Sequence, residues 1–118
     1  MAVSGISDGV TQALRMAING IDARQQAIAG NIANVDTPGY LARQVTFEES
    51  LAQAIAGGDP TGAGVTVRHS LAPTRLNGNN VNIDFEMLAQ KENALRQRLV
   101  VQALNAKYAL LRTAITGQ

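Results

Sequence analysis

The sequence contains few large or reactive side chains. It has no cysteine and no tryptophan, one histidine and four aromatic residues among 118. The absence of cysteine excludes disulfide scaffolds, thiolate metal sites and cysteine nucleophiles. Alanine supplies 19 of the apolar residues, and such small side chains suit close contact between helices. Because aromatic side chains provide the largest buried areas in ordinary cores, we expect a single domain with a thin core.

Net charge and long apolar runs are also lacking. Ten basic and nine acidic residues leave a net charge of +1, which gives no reason to expect nucleic acid as a partner. No apolar run approaches the roughly 20 residues of a membrane span, so direct membrane insertion is not expected. No lysine or arginine precedes Arg15, and glycines and polar residues interrupt the first apolar stretch. We therefore expect export, if it occurs, without a cleaved signal peptide.

The three prolines divide the chain into three parts. All of them lie between residues 38 and 73, which leaves two proline-free flanks. We assign an N-terminal helix to residues 1–36, a central region to 37–83 and a C-terminal helix to 84–118. The predicted fold is mainly α, with two long terminal helices that form an antiparallel coiled-coil-like hairpin. The short central region would contain a loop, a short helix and a possible β-hairpin.

The first helix is predicted from about Ser7 to Asp36. Its apolar residues follow alternating steps of four and three, which is the 3.5-residue spacing of a helix packed against other helices. Ser7 is the predicted N-cap, and Asp8 would lie in the first turn. The apolar positions are Val10, Leu14, Ile18, Ile21, Ile28, Ile32 and Val35.

The second helix is predicted from Asp84 to Thr116, with Gly117 as its stop. Apolar residues recur every seven positions from Met87, and further leucines widen the stripe beyond what a single helical partner covers. We predict that both helices contribute to one assembly seam. In this seam the following residues face one another: Leu14, Ile18, Ile21, Ile28 and Ile32 on the first helix, and Val101, Leu104, Tyr108, Leu111 and Ile115 on the second.

The central region gives weaker signals. Residues 41–47 alternate weakly and predict a strand, and residues 65–69 predict a second one. Thr46 and Glu49 have the spacing of a capping box for a short helix that ends at Ala56. The glycine-rich residues 57–64 predict a mobile linker or hairpin tip, and the asparagine cluster at 77–80 predicts a turn.

No group of residues predicts catalysis. His69 lies near no recognisable nucleophile or zinc-ligand spacing, so we interpret it as an incidental polar residue at a strand edge. Asp84 and Glu86 are more simply explained as acids at a helix N-terminus than as a catalytic pair. We therefore expect a protein that is not an enzyme and that uses no cofactor and no metal.

The densest local signal lies where the first helix ends, at residues 31–40. Pro38 and Gly39 occupy the two central positions of a predicted type II turn, because glycine accepts the positive φ required at the second of them. Asn34, Asp36 and Thr37 can bond to the backbone groups that the helix end leaves free. Tyr40 would then pack its ring back on the helix.

Two segments resemble a known family. The helix end is similar to the N-terminal signature of flagellar basal-body rod and hook proteins, and the matching residues are Asn31, Asn34, Thr37, Pro38, Gly39 and Tyr40. Residues 77–87 resemble the segment that opens the C-terminal helix in proximal rod members of that family. The short chain and the absence of a large central domain favour these members.

The resemblance implies a structural subunit of the bacterial flagellar basal body. Such a subunit would be exported without signal cleavage, would span the periplasm in an open helical assembly with itself, and would transmit torque. The implied partners are other rod subunits and the rod-base adaptor or membrane ring. The terminal helices would order fully only on assembly. The alternative from a different class is a soluble helical-hairpin adaptor or export chaperone.

Overall fold

Two long helices and a small central unit make up the chain, which confirms the predicted fold class. The computed structural model describes residues 2–116, with side chains from residue 9 onward. The elements in chain order are helix α1 (Ala2–Ala33), strand β1 (Arg43–Thr46), helix α2 (Glu48–Ala56), a short 3-10 helix (Pro60–Gly62), strand β2 (Thr66–His69) and helix α3 (Ile83–Thr116).

Helix α1 begins earlier and ends earlier than predicted. It starts at Ala2, so Ser7 and Asp8 lie within the helix and the predicted N-cap is wrong. No proline precedes Ser7 to prevent an earlier first turn. The helix ends at Ala33 instead of Asp36. The backbone N–H of Val35 donates to the carbonyl of Ile32, three residues back, at 3.3 Å, and the side-chain amide of Asn34 donates to the Gly30 carbonyl at 2.8 Å. The bond from Val35 tightens the last turn, and the chain leaves the helix there.

Helix α3 begins one residue before the predicted start. The side-chain oxygen of Asn82 accepts a hydrogen bond from the backbone N–H of Phe85 at 3.1 Å, the geometry of an N-cap. The helix continues to Thr116, and the predicted stop at Gly117 lies outside the described residues.

The two long helices run antiparallel. Arg15, early in α1, donates to the hydroxyl of Tyr108, late in α3, at 2.7 Å. Farther along the hairpin, the side chain of Asn93 donates to the carbonyl of Ile21 at 3.0 Å. The N-terminal part of α1 therefore lies beside the C-terminal part of α3, which confirms the predicted antiparallel hairpin.

The central unit is a two-stranded antiparallel sheet with a helical connection. Val45 pairs with Val67 and Arg43 with His69, so the strands lie where the alternation predicts them. Helix α2 ends at Ala56 as predicted, but the Thr46–Glu49 capping box is wrong. Phe47 occupies the N-cap without a side-chain cap bond, because its ring is required in the core.

The core is thin and lies where α1, β1 and α2 meet. The buried cluster there consists of Ile21, Val45 and Phe47, each at most 6% exposed. The residues packed around them are Ala17, Ala23, Ala27, Leu51 and Val100. Three more apolar residues, Ile28, Ala42 and Val81, are buried outside this cluster. Phe47 lies directly over Gly20, where a β-carbon would overlap the ring. This contact fixes the distance between α1 and the central unit.

The molecule is elongated. Its dimensions are 64 × 28 × 14 Å, and its radius of gyration is 18.1 Å, against about 13.5 Å for a compact domain of this length. Its accessible surface is 7815 Å², against about 6,100 Å² for a typical monomer of 12.4 kDa. Among the described residues, no helix is apolar and long enough to cross a membrane.

Candidate functional site

The two segments singled out in the sequence meet at one end of the hairpin. We call this site the loop junction and define it as residues 31–43 and 77–82. Asn31 is its fully buried centre. The side-chain oxygen of Asn31 accepts from the Arg43 backbone N–H (2.8 Å) and the Tyr40 hydroxyl (3.2 Å), and its amide donates to the Arg43 carbonyl (2.9 Å). One asparagine on α1 thus bonds to the start of β1 as a neighbouring strand would.

The turn after α1 has the predicted geometry. Gly39 has φ +75, and the backbone N–H of Tyr40 donates to the Thr37 carbonyl at 3.2 Å. The Thr37 hydroxyl donates to the side-chain oxygen of Asn34 at 3.0 Å. The Tyr40 hydroxyl lies beside Gly30, so the ring packs back on the helix. Only a residue that tolerates positive φ fits at position 39.

Asn79 holds the two segments together from inside the junction. It is fully buried, and its amide donates to the carbonyls of Asn34 (2.9 Å) and Thr37 (2.8 Å). Its side-chain oxygen accepts from the Val81 backbone N–H at 2.7 Å. These three bonds satisfy backbone groups on both sides of a contact between residues more than 40 positions apart.

Asn80 makes an equivalent set of bonds to the sheet end. Its oxygen accepts from the Ala42 backbone N–H at 2.7 Å, and its amide donates to the carbonyls of Ser70 (3.0 Å) and Ala72 (3.1 Å). The cluster at 77–80 is therefore a turn, as predicted, and also the main source of hydrogen bonds for the chain around it.

Two glycines allow the segments to approach this closely. The backbone N–H of Gly39 donates to the Asn77 carbonyl at 2.8 Å. Gly78 has φ +83, and a β-carbon there would lie 3.2 Å from the α-carbon of Gly39. A side chain at position 78 would be strained and would also press on the turn.

We expect Asn79→Ala to destabilise the protein by about 3 kcal/mol, because the fully buried side chain loses three hydrogen bonds worth about 1 kcal/mol each. Urea unfolding followed by circular dichroism measures the loss. Asn105→Ala is the matched control, since Asn105 is exposed on α3 and alanine there favours the helix slightly. Equal stability of the two variants would contradict the role assigned to Asn79.

The face of α3 that meets α1 is polar near the junction. Glu86, Asn93 and Val100 follow a seven-residue spacing on this face, and the first two are 4% and 2% exposed. The predicted repeat began at Met87, one residue later. The predicted row that begins at Met87 therefore lies one residue to the side of the face that meets α1, while the predicted companion residues Leu104 and Leu111 are partly buried.

A charged bridge ties α1, α2 and α3 together. Arg24 donates to both carboxylate oxygens of Glu48 (2.6 and 2.8 Å) and to the Val45 carbonyl (2.8 Å). Its guanidinium lies 4.9 Å from the centre of the Phe47 ring. Arg96 reaches the same carboxylate from α3 at 3.2 Å. Bonding to Arg24 lowers the pKa of Glu48 to about 2.

We expect this bridge to add about 1 kcal/mol at neutral pH, since Glu48 is half exposed and screened by solvent. A lowered pKa in the folded state means that the contribution is complete above pH 4.5 and is lost as the pH falls to about 2. Glu48→Gln should therefore be less stable than the parent at pH 7 and equal to it at pH 2. Unfolding curves at both pH values test the expectation, with Glu49→Gln as control.

Glu86 should show the opposite dependence on pH. Burial raises the pKa of the Glu86 carboxyl, and the side chain of Asn31 lowers it in part. A raised pKa means that the folded state favours the protonated form, so stability is lost as the pH rises through that pKa. Glu86→Gln should raise the urea midpoint at pH 7 and leave it unchanged at acidic pH. A lower midpoint at pH 7 would contradict the burial argument.

The apolar residues of α3 lie mainly on its solvent side. At 3.6 residues per turn they form two stripes, one on each side of the face that meets α1. We call them stripe A and stripe B. Stripe A comprises Phe85, Leu88, Leu95, Leu99 and Leu110, and stripe B comprises Met87, Val101, Tyr108 and Ile115. Members of stripe A keep 56–60% of their surface exposed. The helix therefore presents apolar surface in two directions.

The predicted seam residues are divided between the hairpin interior and its surface. Ile21 and Ile28 are buried, and a further five are partly buried, namely Leu14, Ile18, Ile32, Leu104 and Leu111. Val101, Tyr108 and Ile115 belong to stripe B, and Ile115 is 82% exposed. Within the chain, Ile21 packs against Val100, the neighbour of the predicted partner. The role of the ten residues in assembly stays a prediction.

Known proteins are similar to this chain over nearly its whole length. The flagellar basal body rod protein FlgB of Bacillus subtilis is 31% identical, with 92% of this chain and 95% of that protein covered. The chain belongs to the FlgB family of flagellar basal body rod proteins. FlgB of Cereibacter sphaeroides is 31% identical (82% and 86% covered), and that of Salmonella typhimurium is 28% identical (93% and 97% covered).

The family signature maps onto the loop junction and the helix before it. A family described as flagella basal body rod protein matches residues 13–40, which run along α1 and end at Tyr40. The match includes Gly20, Arg24 and Asn31, which contact the central unit. In the described part of the chain, no three acidic or histidine side chains are grouped as metal ligands would be.

Several residues at this site carry roles that the sequence analysis did not assign. The asparagine cluster predicts only a turn at Asn79 and Asn80, and no pattern in the sequence predicts a role for Arg24. Glu86 was explained by its position in the first turn of a helix, yet it is buried against α1. One available signal was the density of asparagine at positions 77, 79, 80 and 82, since a simple turn requires fewer side-chain acceptors and donors.

Proposed function

We propose that this chain is a structural subunit of the flagellar rod that self-associates, together with other rod proteins, into an open helical tube. The exposed apolar stripes of α3 carry this proposal. This helix buries the polar residues Glu86 and Asn93 and exposes leucines, which is the reverse of the usual distribution in an isolated globular protein. The distribution is explained if helices of neighbouring subunits cover stripes A and B and so bury their apolar side chains.

The size of the exposed surface supports the same proposal. The chain has about 1,700 Å² more accessible surface than a typical monomer of its mass. That excess is comparable to the 1,200–2,000 Å² that a specific protein–protein interface buries. Two stripes facing different directions favour contacts with at least two neighbours. Contacts between different patches generate an open helical assembly when the rotation between subunits does not close a ring.

The predicted seam has a place in this assembly. Val101, Tyr108 and Ile115 in stripe B are accessible to a neighbouring subunit, while Ile21 and Ile28 hold the hairpin that presents them. Transmission of torque would require a stiff subunit, and the hydrogen bonds of the loop junction tie α1, the sheet and α3 into one unit. The loop junction or the segment through Phe47 would meet lateral neighbours or the rod-base adaptor.

The proposal is tested by locating the chain. In a motile host that lacks its own copy, the epitope-tagged chain should restore swimming and should copurify with detergent-isolated basal bodies. A soluble adaptor or export chaperone would instead remain in the cell extract as a monomer or closed dimer. Restored swimming with the chain absent from purified basal bodies would overturn the rod assignment and favour the chaperone alternative.

A further inference from the structure

One loop of the chain exposes two leucines almost completely. The leucine loop, residues 70–76, joins β2 to the loop junction. Leu71 and Leu76 are 99% and 110% exposed, relative to a reference extended residue. Leucine is usually among the most buried residue types, so two of them fully exposed in one short loop require a reason.

Hydrogen bonds fix the leucine loop to the rest of the chain, so the exposure of its leucines is not explained by a loosely held loop. The backbone N–H of Ser70 donates to the Ala42 carbonyl at 2.7 Å, and Asn80 donates to the carbonyl of Ala72 at 3.1 Å. Arg75 donates to the carbonyls of Val81 and Val35, both at 2.6 Å. The fold holds the loop at three points and leaves both leucines outside.

A groove of matching character lies elsewhere on the chain. It runs between α1, α2 and α3 and encloses about 420 Å³. Its apolar lining consists of Ala17, Leu51, Ile55, Leu99 and Val100, and Phe47 forms its floor beside Ile21. Ile55 and Leu99 keep 48% and 56% of their surface exposed. Leu99 belongs to stripe A, so the groove is continuous with the surface proposed above for assembly.

The segments that flank the loop and the groove differ in charge. Residues 66–76 contain Arg68, His69 and Arg75 and no acidic residue. Residues 48–59, which begin at the groove wall and continue past it, contain Glu48, Glu49 and Asp59 and no basic residue. Glu48 is already paired with Arg24 and with Arg96, which itself lines the groove, so the acidic character of this segment rests on Glu49 and Asp59. Complementary charge of this kind favours one partner and one orientation over others.

The leucine loop and the groove occupy different positions along the hairpin. The loop is bonded to the junction near the start of α3, whereas Leu99 lies 16 residues farther, roughly 24 Å along the helix at 1.5 Å per residue. One chain can therefore donate its loop to a second chain and accept the loop of a third. A contact between two different patches joins copies head to tail, and it extends as an open chain when the rotation between copies does not close a ring.

We infer that the leucine loop of one copy docks into the α1–α2–α3 groove of a second copy of this chain. The inference rests on the proposed self-assembly and adds the two surfaces that make one of its contacts. Leu71 and Leu76 are the apolar side chains that enter the groove, and Ile55 and Leu99 receive them. The basic flank of the loop lies along the acidic face of α2.

Cross-linking tests this contact directly, because the chain has no cysteine of its own. Leu76→Cys and Ile55→Cys are combined in one chain, and isolated basal bodies are treated with a short bis-maleimide, which tolerates more displacement than a disulfide. A ladder of covalent multimers is expected from the double variant and from the second pair, Leu71→Cys with Leu99→Cys. The single variants should give none. A ladder from Leu76→Cys alone would overturn the pairing, since it would place two loops together.

The outcomes separate this inference from the rod assignment. If the chain is present in basal bodies and neither pair cross-links, the docking contact is wrong while the rod proposal stands. If the chain is absent from basal bodies, both fail.

Substitution gives a second readout. Leu71→Ser with Leu76→Ser should lower the amount of chain in basal bodies at least about tenfold, the minimum expected for removing a buried leucine from a contact. Val65→Ser is the control, since Val65 is 42% exposed and lies outside both surfaces. Unchanged incorporation of the double variant would also overturn the inference.

Discussion

Replacing Gly20 with valine should destabilise the chain by about 3 kcal/mol, one of the largest effects expected from a single substitution in it. A β-carbon at this position would overlap the ring of Phe47, which is 6% exposed and lies between Ile21 and Val45. The ring has to move for any side chain to fit, and expelling a core phenylalanine costs on the order of 3–5 kcal/mol. Because Phe47 also begins α2, the displacement should detach the central unit from α1.

Gly9→Ala is the matched control for this prediction. It lies in the same helix, and no atom beyond its own helix backbone lies within 4 Å of the added β-carbon. Alanine should stabilise α1 there by roughly 1 kcal/mol. Urea unfolding monitored by circular dichroism measures both variants. A Gly20→Val chain as stable as the parent would show that the Phe47 contact does not fix the position of the central unit.

Local signals predicted the elements and turns well. The seven-residue and 3.5-residue spacings located both long helices, because a helix that packs along its length requires an apolar stripe of that period. Pro38 and Gly39 predicted the turn, since the backbone at Gly39 admits few other residues. These features depend on residues that are neighbours in sequence, and local spacing therefore reveals them.

Contacts between distant residues could not be predicted in the same way. Gly20 is 27 positions from Phe47, and its isolated cost to the helix gives no indication of the ring above it. Asn79 bonds to carbonyls more than 40 residues away. Such roles depend on how α1 packs against the central unit, and the spacing of residues along the sequence does not reveal that geometry.

Part of the apolar pattern predicted on α3 lies on its outer surface, for a different physical reason. Sequence patterns reveal where apolar side chains lie, and they do not distinguish a stripe that packs within the chain from one that packs between chains. In α3 the hairpin uses the Glu86, Asn93 and Val100 face, and the stronger apolar pattern is directed outward. An outward apolar pattern of this kind is what we expect of a protein whose apolar surfaces are covered by neighbouring subunits.

Charge placed on that outward surface should abolish incorporation while leaving the chain folded. Leu95→Asp changes stripe A at a residue that is 57% exposed, and Val101→Asp changes stripe B. Exposed substitutions usually alter stability by less than about 0.5 kcal/mol. Burial of an unpaired carboxylate against a neighbouring subunit costs several kcal/mol at each contact. In an assembly of repeated contacts these costs accumulate, so swimming should be lost.

Gln102→Asp is the control that separates assembly from folding. It adds the same charge to an exposed position of α3 and removes no apolar side chain. Circular dichroism should give parent-like helix content for all three variants, and only the two stripe variants should be absent from isolated basal bodies. A charge at Ile21 would not serve this purpose, since Ile21 is 4% exposed within the core and the hairpin itself would unfold. If Leu95→Asp and Val101→Asp each prevent incorporation when introduced separately, both sides of α3 meet neighbours. Normal incorporation of both variants would show that the apolar stripes are not the assembly surface.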